Sequence, residues 1–287
     1  MIVIFNPTAG RRRAHLLWRV LDLLANNGMR VELVETRFAG HATALARQAS
    51  RAGTGLVVAA GGDGTIAEVA NGLQGTETKL GIIPLGTANV FANELSLPGS
   101  SGEIAAALAF GRTRLFWPGI ACGPTGERLF VQMLGVGLDA QVVHRLPLPL
   151  KRMLGRTAYV AQTLRELVRY RFTRLALRLD GTRTEAASAI ISKGRLYGGR
   201  YMLAPGARPD EPGFTVALFE ATGPWAALAY GAALPLNLLP RAPGLRLLRA
   251  AEVEILGNVP AQADGDPAGA APILVRDATA PIRVVVG

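Results

Sequence analysis

The sequence predicts an α/β protein in two parts: an open, mostly parallel sheet domain over residues 1–114, and a mainly antiparallel β-sandwich domain over residues 115–287. Three observations predict it. In the first third, short apolar runs alternate with helical patterns, the arrangement of strands joined by crossover helices. Beyond residue 114, short strands follow one another between Gly, Pro and Asp turns with few helices. The 287 residues, 49% hydrophobic and 18% charged, are enough to pack two domains and argue against long disordered tracts.

Residues 2–5 are a strand, and residues 14–27 carry Leu17, Val20, Leu21 and Leu24 at helical spacing. Strands follow at 31–35, 55–60 and 79–83, and helices at 41–51, 66–73, from 89 to 95, and 103–110. In the second part the strands are 115–122, 128–135, 175–179, 186–192, 215–219, 252–255 and 273–275. Its helices are 155–170 and a stretch near Pro224. A last strand, 282–286, fits either domain. Residues 221–240 hold no charge, yet Gly223, Pro224, Gly231, Pro235, Asn237 and Pro240 break a membrane span, so the segment reads as a buried or surface-lying helix.

A net charge of +10 draws anions, among which nucleotide, nucleic acid and anionic membrane all qualify. Part of the excess is local: nine basic residues lie between Gln141 and Asp180, against Glu166 and Asp180. The lone Cys122 excludes an intrachain disulfide and, with three histidines, argues against a structural zinc cluster; a reducing compartment fits. The start reads as a strand and turn rather than an export signal, so a cytoplasmic protein, with or without peripheral membrane association, is expected.

The run Gly61-Gly62-Asp63-Gly64-Thr65 follows an apolar strand and opens a helix. Glycines let the backbone approach a bulky ligand, and a helix start points N–H groups at it, which together make a phosphate cradle. It matches neither the dinucleotide fingerprint nor the Walker lysine motif. An acid beside phosphate calls for a cation or a substrate hydroxyl, so Asp63 is expected to position Mg²⁺ or the attacking hydroxyl, with an N-cap by Asp63 or Thr65 as the competing role. Glu68 would orient Mg²⁺ water or form a capping box with Thr65. A second turn, Pro84 to Asn89, offers the Thr87 hydroxyl and the Asn89 amide, and a third spans residues 6–10. All three leave carboxyl ends of strands in one sheet, where open sheets bind ligands.

With these pieces, the sequence resembles the diacylglycerol kinase catalytic-domain family, which includes sphingosine and ceramide kinases and bacterial lipid kinases. The resemblance is carried by Asn6-Pro7-Thr8-Ala9-Gly10, by Gly61 through Leu73, and by Gly81 through Asn89. It continues through Gly135 to Ala140, Gly198-Gly199, Ala204-Pro205, Pro209-Asp210 and Asp264-Gly265-Asp266. It implies a first domain like those of NAD kinase and phosphofructokinase, an ATP- and Mg²⁺-dependent lipid kinase, and a lipid hydroxyl presented by the β domain. It places nucleotide contacts on Asn6, Pro7, Thr8, Ala9, Gly10, Thr36, Gly62, Asp63, Gly64, Thr65, Ile66, Ala67, Glu68 and Thr87. It makes Asp266 the general base, with Asp264 its competitor, and puts a structural Mg²⁺ by the loop 208–214, with Asp210 as its acid. Two positions depart from the family: Pro212 is an extra proline in that loop, and Val90 stands where many relatives carry Asp.

The basic stretch from Arg145 to Arg178, with apolar anchors at Leu146 to Leu150, Leu154, Tyr159, Val160, Leu164, Leu167 and Val168, suits anionic lipid; a helix packed on the β domain is the plainer reading. No nucleic-acid partner is expected, for want of a recognised module or aromatic interleaving. A homodimer is left open. Tyr197, Tyr201 and Trp225 are read as core packing before a lipid path. The rivals to a lipid kinase are a kinase of a soluble cofactor such as NAD and a non-catalytic lipid-binding regulator.

Overall fold

The computed structural model describes residues 1–10, 13–146 and 156–287. The apolar run 147–150, with Lys151, Arg152 and Leu154 of the basic stretch, lies outside them, as do the side chains of Tyr159, Val160 and Val168. The chain divides into two compact units: Met1–Trp117 with Ala278–Gly287, and Pro118–Asp277.

In the first unit, β1 (Ile2–Phe5) leads through the one-turn α1 (Pro7–Gly10) to α2 (Ala14–Asn26), then β2 (Glu32–Glu35) and α3 (His41–Arg51). There follow β3 (Leu56–Gly61), α4 (Asp63–Leu73), β4 (Lys79–Pro84), α5 (Val90–Glu94), α6 (Ser101–Phe110) and β5 (Arg112–Phe116). With the late strand β20 (Ile282–Val286) they form one sheet in the order β2-β1-β3-β4-β20-β5, parallel except for β5. Alternate strand residues choose the face. Val3, Phe5, Val58, Ala60 and Ile83 pack with Leu17, Val20 and Leu24 of α2 and Ile104 and Leu108 of α6. Their neighbours Ile4, Val57, Ala59 and Ile82, also buried, point to the other face, where α3 and α4 lie. A Cβ on Gly72 would stand 2.5 Å from the Thr43 carbonyl oxygen, so the close approach of α3 and α4 needs glycine there.

The second unit is a sandwich of two antiparallel sheets. One has the order β10 (Thr182–Ala186), β9 (Leu175–Leu179), β16 (Val253–Ile255), β19 (Ile273–Asp277), β6 (Gly119–Gly123), β7 (Gly126–Phe130). The other runs β15 (Leu245–Ala250), β14 (Phe214–Phe219), β11 (Ser188–Ser192), β8 (Met133–Val136), β17 (Pro260–Ala263), β18 (Asp266–Ala270). Every second residue faces the shared core: Leu134 and Val136, Leu175 and Leu177, Ala189 and Ile191, Phe214, Val216 and Leu218, Val253 and Ile255. Helix α7 (Leu138–Arg145) follows β8, and α8 (Arg156–Arg169) packs on α7. The short pair β12 (Leu196–Tyr197) and β13 (Tyr201–Met202) and helix α9 (Pro224–Ala233) complete the unit. The outer face of the second sheet, at Met133, Ile190 and Ala217, packs with Leu203, Ala204, Leu239 and the inner side of α9.

The expected α/β sheet and antiparallel sandwich are both present. Two expected strands are each divided. Residues 115–122 form the ends of β5 and β6, parted at Trp117-Pro118, because Pro118 has no N–H to continue a ladder. Residues 128–135 belong to β7 and β8 in different sheets, because the N–H groups of Val131, Gln132 and Met133 all donate to the Asp264 carboxylate. Strand β20 joins the first unit. Among the described residues no helix is long and apolar enough to cross a membrane, and residues 221–240 form α9 and the turns after it.

Candidate functional site

Strands β2, β1, β3 and β4 are parallel neighbours, so the turns at their carboxyl ends lie side by side in the first unit. The Asn6 amide bonds the Thr65 hydroxyl at 3.1 Å, and its oxygen accepts from the Thr8 N–H and hydroxyl at 3.0 and 2.8 Å. The N–H of Thr36, just past β2, donates to the Phe5 carbonyl. Gly62 is the N-cap of α4, with no side-chain cap, so Asp63 and Gly64 open the helix.

The turns after β3 and β4 meet. The N–H groups of Leu85 and Gly86 donate to the Gly61 carbonyl at 2.9 and 3.2 Å. A Cβ on Gly86 would lie 2.6 Å from the Gly62 Cα and 2.7 Å from Asn89 Oδ1. The Asn89 amide nitrogen donates to the Gly86 carbonyl at 2.9 Å, whereas its Oδ1 is buried without a hydrogen-bond partner. A cradle bare of side chains beside an orphaned acceptor fits a nucleotide with hydroxyl or hydrated groups to donate. Thr87 is exposed on the lip of this turn.

The structure corrects several expected roles here. Asp63 is at the first helical position, not the N-cap, and its two oxygens accept from the N–H groups of Val90 and Phe91 at 3.1 and 2.9 Å. It therefore caps α5 and ties one glycine turn to the next. Glu68 makes no capping box with Thr65; its carboxylate accepts from the Ala42 N–H at 3.1 Å, at the start of α3. Ile66 is fully buried in the core and its N–H donates to Gly62, so neither group faces a ligand. Ala67, beyond it, is half-buried on the helix. The backbone of Pro7, Ala9 and Gly10 forms α1 directly after Asn6.

The second unit gathers a separate set of acids around the turn from β17 to β18. Asp264 accepts three N–H bonds, from Val131, Gln132 and Met133, at 2.7, 2.8 and 3.0 Å. A carboxylate so engaged fastens the β7–β8 crossing, which removes it as the competing base. Asp266 is partly exposed, 3.9 Å from the Arg128 guanidinium. Between them, the Gly265 N–H donates to Gln262 Oε1 at 2.8 Å, and Gln262 Nε2 donates to Asp139 at 2.6 Å. The Tyr197 hydroxyl donates to the other Asp139 oxygen. Burial pushes the Asp139 carboxyl above its ordinary value, against the opposing hydrogen bonds of Tyr197 and Gln262. Asp139 was legible only as part of a glycine-rich motif; its link to the 264–266 turn arises from strand pairing between β8 and β17. Tyr197 thus has a polar partner as well as its place in the packing.

The metal expected at Asp210 finds no ligand set. Asp210 is exposed, and among the described residues no three His, Cys, Asp or Glu side chains gather. Beside it the Glu211 and Gly213 carbonyl oxygens and the Asp277 carboxylate hold the ammonium of the fully buried Lys193, at 3.2, 2.8 and 2.7 Å. The oxygens that would face a cation already face one. Burial lowers the Lys193 pKa, and the Asp277 carboxylate opposes that shift.

Comparison with known proteins covers both units. Residues 1–116 match the model of the diacylglycerol kinase catalytic domain, and residues 132–286 that of the YegS C-terminal NAD kinase beta sandwich-like domain. The diacylglycerol kinase of Bacillus subtilis (strain 168) is 34% identical over 209 residues, 71% of this chain and 68% of the relative. A Chromohalobacter salexigens protein named "Probable lipid kinase YegS-like" is 37% identical over 179 residues, 60% of this chain and 56% of that protein. A crystal structure of a diacylglycerol kinase from Bacillus anthracis str. Sterne shares the fold, with a TM-score of 0.72 at 19% identity over all of this chain and 96% of the other.

Proposed function

The chain belongs to the diacylglycerol kinase catalytic-domain family of ATP-dependent lipid kinases, and from that premise we propose that it phosphorylates the hydroxyl of diacylglycerol or a related glycerolipid or sphingoid lipid. The observation that carries the nucleotide half is the contact of the Gly62 and Gly86 turns beside the unpartnered Asn89 oxygen. In this reading Asn6 through Gly10, Thr36, Gly62, Gly64, Thr65 and Thr87 surround ATP, and Asp63 keeps the two turns in register. Magnesium, bound with the nucleotide, would neutralise phosphate charge; since no three His, Cys, Asp or Glu side chains gather among the described residues, the phosphates would be its natural ligands.

The lipid hydroxyl oxygen bonds to the γ-phosphorus, the bond from that phosphorus to the β–γ bridging oxygen breaks, and ADP leaves. The hydroxyl proton passes to Asp266, the partly exposed acid of the 264–266 turn.

Transfer of labelled γ-phosphate from ATP, with Mg²⁺, to diacylglycerol, phosphatidylglycerol, monoacylglycerol, ceramide, sphingosine and NAD tests the proposal. A labelled lipid is expected; labelled NADP would move the chain to the soluble-cofactor kinases. Asp266→Ala is expected to lower kcat by about 10²–10⁴-fold with little change in the KM for ATP. An unchanged kcat would remove Asp266 from the chemistry.

A further inference from the structure

Helix α9 is apolar on both sides, and only one side is packed. Tyr230, Ala233 and Leu234 face the sandwich, where the Phe219 and Tyr230 rings meet edge to face at 5.1 Å. Trp225, Leu228, Ala229 and Ala232, spaced i, i+3, i+4 and i+7, are all exposed. Trp225 is 81% exposed, and Leu236 and Leu238 in the following turn are 67% and 50% exposed. Core packing of Trp225 is thereby overturned. The segment is held from its inner side: the Tyr230 hydroxyl donates to the Pro243 carbonyl, and Asn237 accepts from the Met202 N–H at 2.8 Å. A surface helix ordinarily turns polar residues outward, and a grouped apolar face signals a partner.

The neighbouring surface says which. Helix α8 packs against α9 and exposes Leu164 together with Arg165 and Arg169; Arg171 and Arg174 follow, and Arg241 ends the uncharged segment. No ion pair among the described residues holds any of these five arginines. The one acid on α8, Glu166, is turned inward onto Arg145 and Gln162. Exposed Trp and Leu ringed by arginine match the interfacial and phosphate layers of an anionic bilayer. A second copy of the same face would set arginine against arginine.

We propose that the outer face of α9 and the adjoining arginines of α8 form the surface by which this chain docks onto anionic membranes. Trp225, Leu228, Leu236 and Leu238 enter the interfacial layer, and Arg165, Arg169 and Arg241 meet lipid phosphates. This rests on the lipid-kinase reading for why a membrane is approached, and the test separates the two.

Flotation of the full chain with phosphatidylcholine vesicles, with and without phosphatidylglycerol, reads docking directly. Binding is expected with phosphatidylglycerol, weakening with salt, and accompanied by a blue shift in tryptophan emission that Trp225→Phe abolishes. Leu228→Gln with Leu236→Gln is expected to reduce vesicle partition by more than about tenfold. Arg165→Gln with Arg169→Gln should flatten the salt dependence. Turnover of a short-chain diacylglycerol dispersed as monomers should be unchanged in the leucine variant. Vesicle binding equal to wild type in that variant would overturn the surface. So would a wild-type dimer that the leucine variant converts to monomer without any vesicle binding, since a second copy would then be the occupant. Binding that follows the leucines while no lipid is phosphorylated would support the surface and overturn the substrate reading instead.

Discussion

Four aspartates show how neighbours decide what one side chain does. Asp63 and Asp264 receive main-chain N–H groups and fasten turns; Asp266 lies partly open beside Arg128; Asp139 is buried between Tyr197 and Gln262. The Asp139 shift has a measurable consequence. Because burial raises its folded-state pKa above the 3.8 of a free carboxyl, the folded chain keeps a proton that the unfolded chain releases. Its contribution to stability is fully present below that value and is lost as pH rises through the folded pKa. Asp139→Asn lacks this titration, so its urea midpoint relative to wild type is expected to rise from acid toward neutral pH. A difference that stays constant with pH would mean that Asp139 titrates alike in both states. None of these distinctions is legible in the sequence, where Asp63, Asp264 and Asp266 all sit beside glycine. The N–H groups that hold Asp63 and Asp264 come from distant segments.

At the scale of elements, most strands and helices of the first unit were legible as apolar runs of the right period; α1, read as a turn, and β5, whose residues 115 and 116 were read into a strand of the second domain, were not. The helix 41–51 and the strand 282–286 have the expected bounds. The cradle was legible as glycine turns. The contact between the turns was not, since it follows from the adjacency of β3 and β4 in the sheet. It also predicts the effect of one methyl group. Gly86→Ala would press on the Gly62 backbone and Asn89 Oδ1, and is expected to cost about 1–3 kcal/mol of stability and to lower kcat/KM for ATP by about 10²-fold. Gly99→Ala, where a Cβ meets nothing within 4 Å, is the control and should leave both unchanged. A Gly86→Ala enzyme with normal kcat/KM would mean that the turns can part without harm to the nucleotide. In the second unit, α7, β10, β12, β13, β15, β17 and β18 escaped the sequence reading. Strand β18, Asp266-Pro267-Ala268-Gly269-Ala270, has no β-branched residue and is a strand because β17 pairs with it.

For the whole molecule, the second unit is an insertion between two strands of the first. β5 precedes it, β20 follows it, and β5 reaches the sheet only through β20. Ile282 and Val284 on β20 are buried. Ile282→Ala is expected to cost about 2–5 kcal/mol, and to speed amide hydrogen exchange in Arg112–Phe116 while the sandwich stays protected. Equal protection of those amides in wild type and variant would show that β5 is held by something other than β20.

This order of strands also fixes what a ribosome can complete, and when. While residues 118–277 are being made, β5 has no strand to bind and β4 is a bare edge, its donors and acceptors open to any passing chain. A polypeptide truncated before residue 282 would carry a finished sandwich beside an unfinished sheet, a form prone to aggregate and a natural substrate for cellular proteases.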